Sequence, residues 1–193
     1  MTVAQHGFRH IEKFSDYYTR ECRNPCWVST PRRAKPLQGR LTVMSHSHLC
    51  CLMHIVFSTD QRRPLIRNEI KIRLHAYLGG IARENAMVAL AVGGIEDHVH
   101  LLVSLNRTIA VAKAVQLLKA GSSKWINDSF PEYETFSWQE GYGAFSVSIS
   151  QRDRTAAYIH NQVEHHKKFD FAEEFRRLLA AHGMQEEEFV SRP

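Results

Sequence analysis

The stretch Asp97-His98-Val99-His100-Leu101-Leu102-Val103 decides how the rest of this sequence is interpreted. It has the composition of a buried β-strand, yet it carries two histidines one residue apart. Side chains alternate between the two faces of a strand, so His98 and His100 share one face, while Val99, Leu101 and Val103 share the other. Their Cα atoms then lie roughly 6.5–7 Å apart, which lets both imidazoles reach one metal ion. The pattern fits equally well two polar residues on the open face of a half-covered sheet.

The composition is that of an ordinary globular chain with a modest excess of basic residues. The 193 residues suffice for one domain with its own core, and 44% of them are hydrophobic. No apolar run approaches the ~18 residues of a membrane span, so we expect no membrane partner and a cytoplasmic location. The four cysteines lack the spacing of a zinc finger. The net charge of +5 permits a polyanionic partner without requiring one.

Two segments of different character divide the chain. Residues 1–43 include a stretch that combines prolines with arginines and lysine and shows no sustained hydrophobic period. This composition predicts a basic, poorly ordered extension. Regular hydrophobic periods begin only after it, and residues 44–193 are therefore predicted to form the organised domain.

Hydrophobic periodicity across this domain predicts an α+β fold. The predicted strands are 52–58, 86–92, 97–103 and 145–150, and the predicted helices are 64–84, 108–127, 154–168 and 172–182. The first six elements form a split βαβ, ferredoxin-like unit, which is an antiparallel sheet with two helices on one face. The strand with the histidine pair is central in that arrangement. The two additional C-terminal helices can cover part of the sheet's open face.

The first additional helix carries Tyr158 and Gln162, which are four residues apart and therefore lie on the same side of a helix. Ile159 and Val163 lie on another side and are predicted to dock it. A tyrosine phenolate can attack a phosphodiester if a divalent metal withdraws charge from the phosphate. Gln162 would supply a third ligand beside the two imidazoles. A solvated helix face with an incidental tyrosine explains the same spacing.

Six ordered segments of the chain resemble the HUH single-tyrosine transposases, the family of small insertion-sequence transposases and their REP-associated relatives. The segments are HIVFST (54–59), RRP (62–64), DHVHLLV (97–103), KAGSSKWIN (119–127), WQEGYGAFSVS (138–148) and YIHNQVEHHK (158–167). They span nearly the whole organised region. A single His-x-His would be weak support, whereas six segments in order are specific.

The resemblance implies a role for each matching residue. His98 and His100 would bind a divalent metal ion, Mg²⁺ or Mn²⁺, with Gln162 as the third ligand. Tyr158 would cleave single-stranded DNA to a 5′-phosphotyrosine and a free 3′-hydroxyl, and the strands would rejoin without ATP. The implied partners are hairpin-forming element ends and a second copy of the chain in a homodimer, with the tyrosine acting in cis or in trans. A nucleoid-associated location follows.

Contacts to DNA and the exact function stay more open. The basic residues nearest the matched segments are Arg62, Arg63, Lys113, Lys119 and Lys124. Phosphate contact is the natural role for them, although each one is equally well explained as a solvated charge. Three other functions fit parts of the pattern: a domesticated relative that processes repeated palindromes, a non-catalytic module that binds single-stranded nucleic acid, and a metal-dependent hydrolase that uses water.

Overall fold

The computed structural model describes residues 48–131 and 136–185 of the chain. The fold described below belongs to the second of two units into which the chain divides, which begins at Cys51. The predicted basic extension, residues 1–43, lies outside the described residues. The predicted boundary at residue 44 therefore stays a prediction.

The elements of the second unit follow the order predicted from hydrophobic periodicity. The strands are β1 (Leu52–Ser58), β2 (Val88–Gly94), β3 (His98–Ser104) and β4 (Gly143–Val147), and the α-helices are α1 (Asn68–Glu84), α2 (Val111–Ser129), α3 (Arg152–His160), α4 (Gln162–His165) and α5 (Phe171–Ala181). No helix within the described residues combines the length and apolar composition that a membrane crossing requires. The prediction of an α+β, ferredoxin-like fold with additional C-terminal helices is confirmed.

The four strands form one antiparallel sheet in the order β2-β3-β1-β4. Strand β3 is therefore central, as predicted, and it pairs with β1 so that Val56 lies opposite His100 and Ser58 opposite His98. Six of the seven residues of β3 are buried. A strand is buried along its whole length only when both faces of its sheet are covered.

Helices α1 and α2 cover the apolar face of the sheet and form the main core with it. This core joins Val99, Leu101 and Val103 of β3 to Leu74 and Leu118 of the two helices. The odd-numbered residues of β3 therefore point into it, while the histidines between them point to the opposite face.

Helix α5 covers the histidine face of the sheet. Leu179 of α5 forms a second, smaller cluster with Val56 of β1 and Phe145 of β4. Helix α3 lies over the same face, where Ile159 is completely buried. The predicted docking role of Val163 is wrong, because its side chain is 56% exposed.

The helix predicted over 154–168 is interrupted. Helix α3 ends at His160 and α4 begins at Gln162, with Asn161 between them at φ −96° and ψ 19°. The backbone hydrogen bond from His165 N to Asn161 O continues the helical direction past this residue. The interruption is a local bend, and Gln162 stays one turn beyond Tyr158.

The helix predicted from 108 begins three residues later, and Thr108 is not its cap. Ala110 precedes the first turn of α2 without any side-chain capping bond. Asn106 takes the polar role instead, because its Oδ1 accepts from the backbone N–H groups of Thr108 and Ile109 at 2.8 and 3.0 Å. A short amide side chain bonded to the backbone two residues ahead stabilises a turn before a helix.

Gly93 of β2 allows α3 to approach the sheet closely. A Cβ atom at this position would lie 2.1 Å from the carbonyl oxygen of Ile159. Backbone atoms cannot yield to such an overlap, so any other residue at position 93 would push the tyrosine-bearing helix outward. The absence of a side chain here thus helps to position Tyr158.

We expect Gly93→Ala to lower the free energy of unfolding by about 1–3 kcal/mol, because α3 must separate from β2 to admit the methyl group. Urea denaturation of the purified chain measures this change. Gly80→Ala is the matched control, since a Cβ there meets no atom within 4 Å. Removing a glycine from the interior of α1 should leave stability unchanged or raise it by about 0.5–1 kcal/mol. Equal stability of the two variants would contradict the packing argument.

His75 on α1 makes stability depend on pH. Burial, with a smaller contribution from the Lys71 ammonium, lowers the pKa of His75 from 6.5 to about 4. The unfolded chain therefore takes up a proton below pH 6.5 that the folded chain refuses until about pH 4. We therefore expect the free energy of unfolding to decrease as the pH is lowered from 6.5 to about 4. His75→Leu should remove roughly 1–3 kcal/mol of this decrease. Urea denaturation at several pH values checks this, and parallel pH profiles would refute it.

Candidate metal and nucleophile site

The imidazoles of His98 and His100 meet beneath the additional helices. Both side chains are completely buried, and neither Nε2 atom has a hydrogen-bond partner among the described residues. The two atoms face the same oxygen, Oε2 of Glu174 on α5, at 3.5 and 3.4 Å. The structure therefore replaces the open polar face with a closed site in which two nitrogen atoms lack partners.

Hydrogen bonds behind the two rings decide which nitrogen faces the site. Nδ1 of His98 lies 2.7 Å from Oδ1 of Asp97, so it carries the proton and donates to the carboxylate. Nδ1 of His100 lies 2.9 Å from Nε2 of His54 on β1. A His100 that donates this bond likewise leaves its Nε2 lone pair free. Partners of this kind hold metal-binding histidines in the required tautomer.

Burial keeps His54 and His100 neutral. It lowers the pKa of His54 to about 3 and the pKa of His100 to about 4, and the neighbouring His100 ring lowers the pKa of His54 further. Neutral imidazole is the form that binds metal ions. No role was predicted for His54, although it occupies the same side of β1 as Val56, which lies opposite His100.

Two further side chains join the histidine pair. Nε2 of His166 lies 3.1 Å from Oε2 of Glu174. The nitrogen atoms of His98, His100 and His166 and an oxygen of Glu174 all lie within 4.8 Å of one another. Ligands of this type and spacing suit a divalent transition ion. The sequence prediction missed Glu174 and left the role of His166 open. The sequence did contain a signal for Glu174. This carboxylate lies four residues before Leu178, and therefore on the apolar side of α5.

Tyr158 and Gln162 contact the other oxygen of the same carboxylate. The Tyr158 hydroxyl and the Gln162 side-chain amide both donate to Oε1 of Glu174, the amide at 3.0 Å. The Tyr158 ring lies 5.9 Å from the ring of His100 and 6.1 Å from that of His54. The structure therefore brings the predicted nucleophile and all three predicted metal ligands together within one chain.

The Glu174 carboxylate is an anion held in a buried position. Burial opposes its ionisation, but hydrogen bonds from the His166 imidazole and the Tyr158 hydroxyl help to hold its pKa well below the usual range. Burial also raises the pKa of Tyr158, and the adjacent carboxylate raises it further. The site therefore holds Tyr158 as a phenol whose proton lies on the bond to Glu174.

The three lysines predicted to contact DNA lie on α2, across the sheet from the site. The Lys119 ammonium donates to the carbonyls of Gln139, Glu140 and Gly141 and so holds the chain before β4. Lys124 forms an ion pair with Asp128 at 2.8 Å, and Lys113 donates to Gln116 at 3.0 Å. The structure does not bring these lysines to the site, and their contact with DNA stays a prediction.

The two predicted arginines follow β1, and Arg62 lies next to the first residue of α5. The Arg62 guanidinium lies 5.9 Å from the ring of Phe171, and that ring lies 4.5 Å from the ring of His98. Arg63 pairs instead with Asp60 at 3.1 Å. Arg62 is therefore the predicted DNA contact closest to the site, and the role of both arginines stays a prediction.

Comparison with known proteins identifies the family. The sequence profile of the family described as "Transposase IS200 like" matches residues 47–162, which is more than half of the chain. The chain belongs to this transposase family. ISDra2 transposase TnpA of Deinococcus radiodurans is 25% identical over 114 residues, which cover 56% of this chain and 81% of TnpA.

Two solved structures resemble this transposase. A crystal structure of a proposed transposase from Deinococcus radiodurans R1 matches with a TM-score of 0.50 and 25% identity, over 66% of this chain and 98% of that one. The structure of a REP-associated tyrosine transposase bound to a REP hairpin matches with a TM-score of 0.47 and 12% identity, over 65% and 74% of the two chains.

The family region contains only part of the site. His98, His100, Tyr158 and Gln162 lie inside residues 47–162, whereas His166 and Glu174 lie beyond them. The imidazole of His166 and the carboxylate of Glu174 come from the turn before α5 and from α5 itself.

We expect Asp97→Ala to weaken binding of Mn²⁺ by roughly 10-fold to 100-fold, because His98 loses the partner that holds its tautomer and orientation. Isothermal titration calorimetry with the metal-free chain measures the affinity. Asp128→Ala removes a carboxylate from the exposed pair on α2 and should leave the affinity unchanged. An Asp97→Ala variant with wild-type affinity would show that the bond behind His98 is dispensable.

Proposed function

We propose that this transposase cleaves and rejoins single-stranded DNA through a 5′-phosphotyrosine at Tyr158, with the help of a divalent metal ion. One observation carries the proposal. The Tyr158 hydroxyl and the free Nε2 atoms of His98 and His100 face the same buried carboxylate, although these residues come from separate elements. Within a transposase family, this convergence of a nucleophile with a pair of metal ligands supports phosphoryl transfer to tyrosine.

The donor set fits the metal ion that the proposal requires. His98 and His100 offer two buried nitrogen atoms without partners, and Gln162 offers a buried Oε1 without a partner among the described residues. These three side chains would hold Mg²⁺ or Mn²⁺, and imidazole favours the second of these ions. When bound, the ion would withdraw charge from the scissile phosphate.

The side chains of the site would carry out the cleavage step. The Tyr158 oxygen forms a bond to phosphorus while the bond from phosphorus to the 3′ oxygen breaks. The phenol gives up its proton to solvent as its oxygen attacks, and the departing 3′ oxygen takes up a proton from solvent. Rejoining is the reverse attack by a 3′-hydroxyl on the phosphotyrosine. The bond energy is conserved in the phosphotyrosine, so no ATP is consumed.

The proposed partners follow from this chemistry and from the resemblance. The substrate would be single-stranded DNA from hairpin-forming element ends, and Arg62 at the edge of the site would contact its phosphates. We further propose a homodimer and a cytoplasmic, nucleoid-associated location. A purely binding module is disfavoured, because such sheets present exposed aromatic side chains on their central strands, whereas β3 and β1 bury histidines here.

We expect Tyr158→Phe to abolish covalent adducts between the protein and single-stranded DNA while binding of a DNA hairpin persists. The substitution removes the attacking oxygen and leaves the ring in place. Incubation with end-labelled DNA and Mn²⁺, followed by a denaturing gel, detects the adduct as a band of reduced mobility.

Tyr77→Phe is the matched control for this experiment. Tyr77 stacks on Trp125 of α2, across the sheet from the site, so its variant should form adducts at the wild-type rate. His98→Ala should lose the adduct as Tyr158→Phe does. Adducts formed by Tyr158→Phe would rule out Tyr158 as the nucleophile, and cleavage without any adduct would indicate hydrolysis by water.

A further inference from the structure

We propose that Glu174 and His166 complete the metal site, so that the ion is held by three imidazoles and one carboxylate. This inference rests on the proposed function and extends it, because both residues lie beyond the family region, residues 47–162. The ion would then depend on α5, a helix outside that region.

The geometry of the carboxylate is the first argument. Oε2 of Glu174 lies 3.1 Å from Nε2 of His166, 3.4 Å from that of His100 and 3.5 Å from that of His98. Three imidazole nitrogens thus surround a single oxygen. Ligand atoms that each lie near 2.0–2.2 Å from one metal ion are separated from one another by distances similar to these nitrogen–oxygen distances.

The proton positions are the second argument. Nδ1 of His98 donates to Asp97, so the Nε2 atom of a neutral His98 presents a bare lone pair to the carboxylate. The same holds for His100 when its Nδ1 donates to His54. Lone pairs that face an anionic oxygen in a buried space repel it. A cation between them turns this repulsion into attraction, and the donor set selects a divalent metal ion.

The placement of Glu174 is the third argument. Its residue surface is only 1% exposed, and a buried carboxylate is strongly unfavourable unless charged or polar groups compensate it. Helix α5 brings it there in a defined register, because Asp170 caps the helix by accepting from the Glu173 N–H at 2.7 Å. Phe175 and Leu179 then pack against the sheet from the same helix. A buried anion held this firmly is suited to bind a cation.

The two oxygens of Glu174 have different neighbours. Oε2 faces the imidazoles, whereas Oε1 accepts from the Tyr158 hydroxyl and from Gln162. The same carboxylate would thus bind the ion and position the nucleophile next to it. The predicted role of Gln162 as a ligand is compatible with this larger ligand set, because the Gln162 Oε1 atom is not used in these hydrogen bonds.

The donor set also predicts which ion is preferred. Three imidazoles and one carboxylate suit Mn²⁺, Co²⁺ or Zn²⁺, whereas Mg²⁺ prefers sites formed by oxygen atoms. We therefore expect the wild-type chain to bind Mn²⁺ at least tenfold more tightly than Mg²⁺.

Titration of Mn²⁺ into the full metal-free chain tests the inference directly. Loss of a residue that supports a metal ligand lowers metal affinity roughly 10-fold to 100-fold. We expect Glu174→Gln, which alters a ligand itself, to weaken Mn²⁺ binding at least as much. Glu173→Gln is the matched control, because it makes the same change one residue away, where the carboxylate pairs with Arg177. The control should bind Mn²⁺ like the wild type.

A second pair of variants and a second measurement cover the case in which Glu174→Gln fails to fold. His166→Gln should weaken Mn²⁺ binding, whereas His165→Gln should not, because Nε2 of His165 lies 3.6 Å from the other oxygen, Oε1, and His165 is not among the four close donor residues. The visible spectrum of the Co²⁺-loaded chain should change in His166→Gln and stay the same in His165→Gln. Circular dichroism of the metal-free variants establishes that they are folded.

The outcomes separate this inference from the proposed function. Wild-type affinity in folded Glu174→Gln or His166→Gln would overturn the larger ligand set while leaving the histidine pair and the tyrosine chemistry intact. Weakened affinity in these variants, combined with adducts from Tyr158→Phe, would support the metal site and refute the proposed nucleophile. If His98→Ala also bound Mn²⁺ like the wild type, both proposals would be wrong.

Discussion

Coverage of the central sheet on both faces is the constraint on which the site depends. Helices α1 and α2 pack on one face of β3, and α5 packs on the other, so every residue of the strand except Ser104 is buried. The alternation of side chains then forces His98 and His100 into a space that water does not reach. Buried polar groups need partners, and Asp97 and His54 meet this need for the two Nδ1 atoms, whereas the Nε2 atoms face Glu174 without a hydrogen bond among the described residues.

The position of the nucleophile depends on two features of the backbone. Gly93 lets α3 lie directly against β2, and the bend at Asn161 separates α3 from α4 without turning Gln162 away. Tyr158 consequently reaches the carboxylate that faces the histidines, yet its side chain keeps partial exposure. A half-buried tyrosine can be approached by a phosphate from solvent.

The fold and much of the site could be predicted from the sequence. Strand β1 begins and ends where its apolar run predicted, and the order of the elements follows from local periodicities. The shared face of His98 and His100 follows from the two-residue repeat of a strand, and the proximity of Tyr158 to Gln162 follows from one helical turn. Helix boundaries were less accurate at residues 108 and 161, because the Asn106 turn and the Asn161 bend depend on local hydrogen bonds that periodicity does not detect.

The sequence by itself therefore determined the ferredoxin-like order, the histidine pair and the tyrosine helix, since each depends on residues close together in the chain. Only the tertiary structure decided that Glu174 and His166 join the histidines, that His54 lies behind His100, and that Lys113, Lys119 and Lys124 lie across the sheet. The reason is physical. A repeat in the sequence specifies which face a side chain takes, but the contact between α5 and the sheet depends on how distant apolar surfaces pack together.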